Sequence, residues 1–232
     1  MRLRRGFVGL LAGIAVLALS GSAHAVTFTL QALVGGASFT SGNGLFTFSA
    51  FSANLTTGLD PDLTKYTVNV LDDGFELLGP IGAADGEQDD LLLSYDVEAT
   101  QGKIVAATLY FNGQVLPPIN GVAASISEDW FDASNGAPNL LNPVASGFVA
   151  RTGGGLNSPT DDVSFGAGYT KLRAEKDVLV DARVLNGSDQ IVPGTVAAIS
   201  VIRQTYAIPE PGTALLLAAG LAGLAVSGRK RD

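Results

Sequence analysis

Two acidic segments hold the residue types and spacings with which this chain could do chemistry. The first, Asp85-Gly86-Glu87-Gln88-Asp89-Asp90, sets carboxylates at alternate positions of a short glycine-containing run. Hard divalent cations select such oxygen donors held in loops, so calcium is the ion that Asp85, Glu87, Asp89 and Asp90 would take. The spacing follows the first, third and fifth positions of an EF-hand loop. It then places Asp90 where that loop requires glycine, which leaves a calcium loop of another kind. Asp60-Pro61-Asp62 and Asp72-Asp73-Gly74 are weaker candidates, and solvated acidic turns are the competing reading of all three. The second segment, Glu128-Asp129-Trp130-Phe131-Asp132, surrounds the only tryptophan with acids. Sugars stack their C–H faces on aromatic rings and hydrogen-bond to carboxylates, so Trp130, Glu128 and Asp132 could form a glycan contact. Glu128 and Asp132 could also serve as the carboxylate pair of a glycan hydrolase, which would need a defined separation across a cleft. The bland reading, a strand end whose Trp130 enters the core, is preferred, because large aromatics mostly serve packing.

Much other chemistry is excluded. The only histidine is His24, the only methionine is Met1, and there is no cysteine. If the first 25 residues are removed, as argued below, Ser-His-Asp and Cys-His nucleophiles, histidine zinc sites, histidine-ligated haem and iron–sulfur clusters all go with them. No G-x-S-x-G elbow, phosphate loop or dinucleotide fingerprint occurs, and Gly153-Gly154-Gly155 lacks the Lys-Ser/Thr that a phosphate loop needs. Between residues 26 and 208 there are eight basic residues against twenty acidic ones, a net charge of −12. Such a surface repels phosphate backbones, so nucleic acid is not an expected partner; cations and neutral glycans are.

The elements that must position these residues are strands. Leu91, Leu93, Tyr95 and Val97 alternate with Ser94, Asp96 and Glu98, the period-two pattern of a half-buried strand. Similar runs occur at residues 26–34, 45–53, 66–70, 104–112, 177–184 and 196–206. Between them lie the turn signals Gly42-Asn43-Gly44, Asp72-Asp73-Gly74, Asn112-Gly113, Gly153-Gly154-Gly155 and Asn186-Gly187-Ser188. About eight to ten short strands without a strong internal helix predict an all-β fold, an antiparallel β-sandwich, with a β-barrel as the alternative. Residues 117–158, rich in Asn, Gly and Pro, read as long loops.

Both ends differ in kind from the middle. Arg2, Arg4 and Arg5 precede an apolar stretch from Phe7 to Leu19 and the small-x-small site Ala23-His24-Ala25. This is a secretory signal peptide, residues 1–25, its apolar helix shorter than the roughly 20 residues of a spanning helix. At the other end Pro209-Glu210-Pro211 precedes an Ala/Leu/Gly run and the cluster Arg229-Lys230-Arg231. Those three parts, in that order, resemble the PEP-CTERM sorting signal, a tail also named after ice-binding proteins. The resemblance covers residues 209–232. It implies recognition and processing by an exosortase, transient insertion of the apolar helix in the inner membrane, and release to the cell surface or the extracellular matrix of an exopolysaccharide-producing bacterium.

The chain therefore reads as a signal peptide (1–25), one β-rich extracellular domain (26–208) and a sorting tail (209–232). Secretion machinery and exosortase are its expected partners, with exopolysaccharide a further one. The domain is expected to be a non-enzymatic structural or interaction module without a cofactor; the alternatives are a calcium-assisted glycan-binding module and, last, a carboxylate-dependent hydrolase. Material released by the native host should begin at Val26 and lack the apolar run. Intact-mass measurement checks this, and replacing Pro209, Glu210 and Pro211 by alanine should leave the chain in the membrane fraction.

Overall fold

The structure, a computed structural model, describes residues 26–55 and 58–209. The expected signal helix, with Ala23 and Ala25, and the tail with Glu210, Pro211, Arg229, Lys230 and Arg231 lie outside the described residues; of that signal only Pro209 is inside them. Among the described residues no helix is long and apolar enough to cross a membrane.

In chain order the strands are β1 (Thr27–Thr29), β2 (Phe39–Thr40), β3 (Phe46–Leu55), β4 (Thr67–Val70), β5 (Gly74–Leu78), β6 (Ile81–Ala84), β7 (Gln88–Ala99), β8 (Ile104–Leu116), β9 (Ala123–Asp132), β10 (Ala145–Thr152), β11 (Asn157–Ser158), β12 (Thr160–Tyr169), β13 (Lys171–Asp181) and β14 (Val196–Ala207). They form two seven-stranded antiparallel sheets. The first runs β1-β4-β5-β14-β8-β12, with β6 also on β14; the second runs β11-β10-β9-β13-β7-β3-β2. Neither closes on itself, so the molecule is a sandwich and not a barrel. A five-residue helix, α1 (Leu30–Val34), starts at Thr29, whose hydroxyl accepts from the amide of Ala32 at 3.3 Å. Its Leu30 and Leu33 are fully buried.

The strands form where the alternation predicts because each inward residue buries apolar surface that its outward neighbours do not. The inward faces meet in an aromatic cluster. Phe39 stacks on Phe48 at 4.9 Å between centroids, and Phe75 meets Phe48 edge-on at 5.4 Å and Tyr95 at 5.2 Å.

Two expectations fail for identifiable reasons. Residues 117–158 are not long loops, since β9, β10 and β11 lie within them. The inward positions of β9 are Ala124, Ile126, Glu128 and Trp130, a face too poor in Val, Ile and Phe to show as a strand by composition. Asn112-Gly113 is no turn, because β8 runs straight through it while the register shift falls on the partner strand, between Ile199 and Val201. A Cβ on Gly113 would lie 2.2 Å from the Phe111 ring, so the glycine clears space for an aromatic. The other signals do turn: Gly44 donates to Ser41 at 2.8 Å between β2 and β3, and Leu71 to Gly74 at 2.9 Å between β4 and β5.

Trp130 has 0% exposure and packs edge-on against Phe165 at 5.5 Å. Trp130→Ala should cost about 3–5 kcal/mol, read as a lower denaturation midpoint at unchanged slope. Wild-type indole emission should be blue and resistant to acrylamide.

Candidate binding groove and the polar core beneath it

Period-two alternation carried along β9, β13 and β14 brings three polar side chains onto inward faces. They are Glu128 between Ile126 and Trp130, Lys176 between Ala174 and Val178, and Gln204 between Ile202 and Tyr206. All three are buried. Glu128 and Lys176 are direct cross-strand partners and form an ion pair through Oε2, with neither side chain exposed. The Lys176 Nζ reaches across to the facing sheet and donates to Gln204 Oε1 at 2.6 Å. Glu128 Oε1 accepts from the Tyr95 hydroxyl at 3.0 Å, and the Tyr95 and Tyr206 hydroxyls lie 2.8 Å apart. Trp130 Nε1 donates to the Tyr206 oxygen at 3.2 Å. Because an indole N–H can only donate, the chain runs in one direction towards Glu128: Trp130 to Tyr206 to Tyr95 to Glu128. Burial pushes the Glu128 carboxyl up against the opposing pull of Lys176, and burial pushes the Lys176 ammonium down against Glu128. Both tyrosines are raised well above the ordinary range, chiefly by burial.

The outward faces of the same strands build a surface site. Register places Phe148, Ser127, Asp177, Leu92 and Asn54 in one row across β10, β9, β13, β7 and β3. The next row holds Ser146, Asp129, Glu175, Ser94 and Ser52. A groove of about 400 Å³ follows these rows and is lined by the outward residues Ser52, Asn54, Leu92, Ser94, Ser127, Asp129, Glu175 and Asp177, with Leu93 and Lys176 in its floor. Leu92 is 46% exposed within it and Phe148, next to Ser127, is 51% exposed. At one end Arg173 ties the face together, donating to Asp96 Oδ1 at 3.2 Å, Ser94 Oγ at 2.5 Å and the Ala50 carbonyl at 2.9 Å. At the β10 side the Phe148 amide donates to Asp161 Oδ2 of β12 at 2.8 Å, which joins the rims of the two sheets.

The residues singled out for calcium are not brought together. Asp85 and Gly86 both have positive φ, 44° and 90°, as a tight turn from β6 into β7 requires. Asp85 Oδ1 accepts from the amides of Gly194 and Thr195 at 2.6 and 3.1 Å. Asp89 and Asp90 are neighbours in β7, so their side chains leave opposite faces. Asp89 is buried against Gly58, whereas Asp90 meets Asp177 beside the groove. Among the described residues no three acids form a cluster that could hold a metal ion. Of the second segment, Glu128 and Trp130 lie in the core, while Asp132 accepts from the Ser134 amide at 2.9 Å. Glu128 is sealed from solvent and cannot face a substrate across a cleft. The groove residues Asp129, Glu175, Asp177 and Leu92, Phe148 beside them on β10, and the core residues Lys176 and Gln204 were not expected as a site. The signal for them was alternation read across strands instead of along one.

Residues 207–231 match the PEP-CTERM protein-sorting motif, and the chain carries that signal of an exported, exosortase-recognised envelope or surface protein. No curated protein matches the chain. Among solved structures, TmCBM61 in complex with beta-1,4-galactotriose aligns with a TM-score of 0.34 at 12% identity, covering 68% of this chain and 90% of that one. A structure from work on the promiscuous specificity of carbohydrate-binding modules from the β-sandwich superfamily has a TM-score of 0.26 at 12% identity, covering 68% of this chain and 57% of its own. The GH31 alpha-xylosidase of Xanthomonas citri has a TM-score of 0.18 at 8% identity, covering 74% of this chain and 23% of its own.

Burial, and then the neighbouring Asp177, push the Asp90 carboxyl from an ordinary 3.8 to about 6. The folded value lies above the ordinary one, so this group favours folding fully below about pH 4 and loses that contribution as pH rises through about 6. Asp90→Asn should therefore raise the melting temperature at pH 7.5 and leave it nearly unchanged at pH 4, as scanning fluorimetry across that window would measure.

Proposed function

We propose that the sandwich is a non-enzymatic interaction module whose groove binds a neutral stretch of exopolysaccharide. In this reading the sorting tail inserts briefly in the inner membrane, exosortase removes it, and the module is released to the cell surface or matrix. The observation that carries the reading is the groove itself, an open channel on a rigid sheet face combining apolar side chains with hydroxyl, amide and carboxylate groups. Sugars present apolar C–H faces beside hydroxyl donors, and this lining complements both. Leu92 in the groove and Phe148 beside it on β10 offer the apolar contacts; Asp129, Glu175 and Asp177 accept from hydroxyls. Three carboxylates in one groove on a chain of −12 net charge argue against polyuronates and other polyanions. The separation of Asp85, Asp89 and Asp90 favours binding without calcium, and the burial of Glu128 favours binding without turnover.

Affinity electrophoresis in gels containing a neutral glucan or galactan should retard the protein, and gels containing alginate should not. Phe148→Ala and Asp177→Asn should each weaken the retardation about tenfold without lowering the melting temperature, EDTA should change nothing, and no reducing ends should appear. Equal retardation of wild type and both variants would remove the groove from the reading.

A further inference from the structure

The core polar cluster contains more than a buried ion pair needs. An ion pair buried for register alone requires a partner for each charge, and Glu128 and Lys176 supply that to each other. Here the amine also contacts the carbonyl oxygen of a primary amide on the facing sheet, Gln204 Oε1 at 2.6 Å. Lys176, Glu128 and Gln204 have 2%, 1% and 0% exposure, and the Tyr95 ring centroid lies 6.0 Å from the Nζ. An amine, an amide carbonyl and a carboxyl group that touches the amine are thus held together without competing water. Those are the groups that amide exchange requires: a nucleophile, an electrophile, and an acid–base to move the proton.

We propose that Lys176 and Gln204 form an intramolecular isopeptide bond across the two sheets, with Glu128 carrying the proton. Lys176 Nζ, as the free amine, attacks Gln204 Cδ, and the new C–N bond forms as the carbonyl π pair moves to Oε1. Glu128, starting as the acid, gives its proton to Nε2, and the carboxylate so formed takes the proton that the attacking nitrogen sheds. The carbonyl re-forms, the Cδ–Nε2 bond breaks with its electron pair leaving on nitrogen, and ammonia departs. No oxidant, metal or second substrate enters the balance. Burial lowers the ammonium of Lys176 and raises the carboxyl of Glu128, so both shifts favour the amine and acid forms that the attack starts from. The Tyr95 hydroxyl, donating to Glu128 Oε1, holds the carboxyl in place and leaves Oε2 for the amine. The bond would close a loop between positions 28 apart in the chain, joining β13 in one sheet to β14 in the other. Lys176 and Gln204 are positions where an alternating strand would normally place an apolar residue, which their part in a covalent link explains.

Mass spectrometry of the purified, folded full chain tests this directly. The expected intact mass is one ammonia, about 17 Da, below that of the sequence after any signal removal, and digestion should yield a branched peptide joining Lys176 to Gln204. Lys176→Met and Gln204→Met should each retain the full sequence mass. Glu128→Gln should fold, as its tryptophan emission reports, and also keep the full mass. A folded wild type at full sequence mass would overturn the proposal. So would an ammonia loss that maps to a cyclised asparagine, since Asn-Gly pairs such as Asn43-Gly44 and Asn186-Gly187 can lose ammonia on their own. A Glu128→Gln protein that still carried the branched peptide would overturn the role of Glu128. The wild-type mass decides whether or not any variant folds.

Discussion

The sandwich depends on how one desolvated contact is satisfied. Moving a carboxylate and an ammonium out of water costs several kcal/mol each, and only close pairing with additional hydrogen bonds offsets it. Glu128 and Lys176 sit opposite each other in the ladder of β9 and β13, with Tyr95, Tyr206, Trp130 and Gln204 completing their shell. The contact specifies register as much as it stabilises. Sliding β13 by one residue would turn Lys176 to solvent, strand Glu128 uncompensated in the core and turn Leu172, Val178 and Val180 outward. Of the four shell residues, Tyr206 and Gln204 come from the other sheet, so the same contact also sets how the two sheets face each other.

That inner register has an outer counterpart. Strand side chains alternate, so fixing Lys176 inward fixes Glu175 and Asp177 outward, and fixing Glu128 inward does the same for Ser127 and Asp129. The groove is therefore the obverse of the polar core, built by the neighbouring residues of the same strands. Its floor is also stiff: β13 is hydrogen-bonded along its length to β7 and β9, and Arg173 links β13 to β7 and to the bulge of β3 at Ala50.

Much of the architecture was legible in the chain because alternation and turn chemistry are local. Leu91 to Val97 announce β7 by themselves, and Gly42-Asn43-Gly44 announces the reversal into β3. What was not legible is non-local. Glu128 reads as an acid beside a tryptophan until β13 is laid alongside it, when Lys176 appears as its partner 48 positions away. The acidic run from Asp85 to Asp90 looked like a ligand set because spacing was read without direction; folding spends Asp85 on a turn and sends Asp89 and Asp90 to opposite faces. The groove follows the same logic, since its lining is drawn from β3, β7, β9 and β13 and its outward side chains come from alternate residues of each strand.

The place where the chain leaves the sandwich bears on how it would carry load. β14 ends at Ala207, two residues before Pro209, and it is an interior strand of its sheet, paired along nearly its whole length to β8 on one side and to β5 and β6 on the other. Tension on whatever follows Pro209 pulls along the axis of β14. Both ladders then resist in shear, many hydrogen bonds at once, where an edge strand would peel away one bond at a time. A domain tethered through such a strand transmits pulling force into the middle of its sheet, which is the geometry of a mechanical clamp.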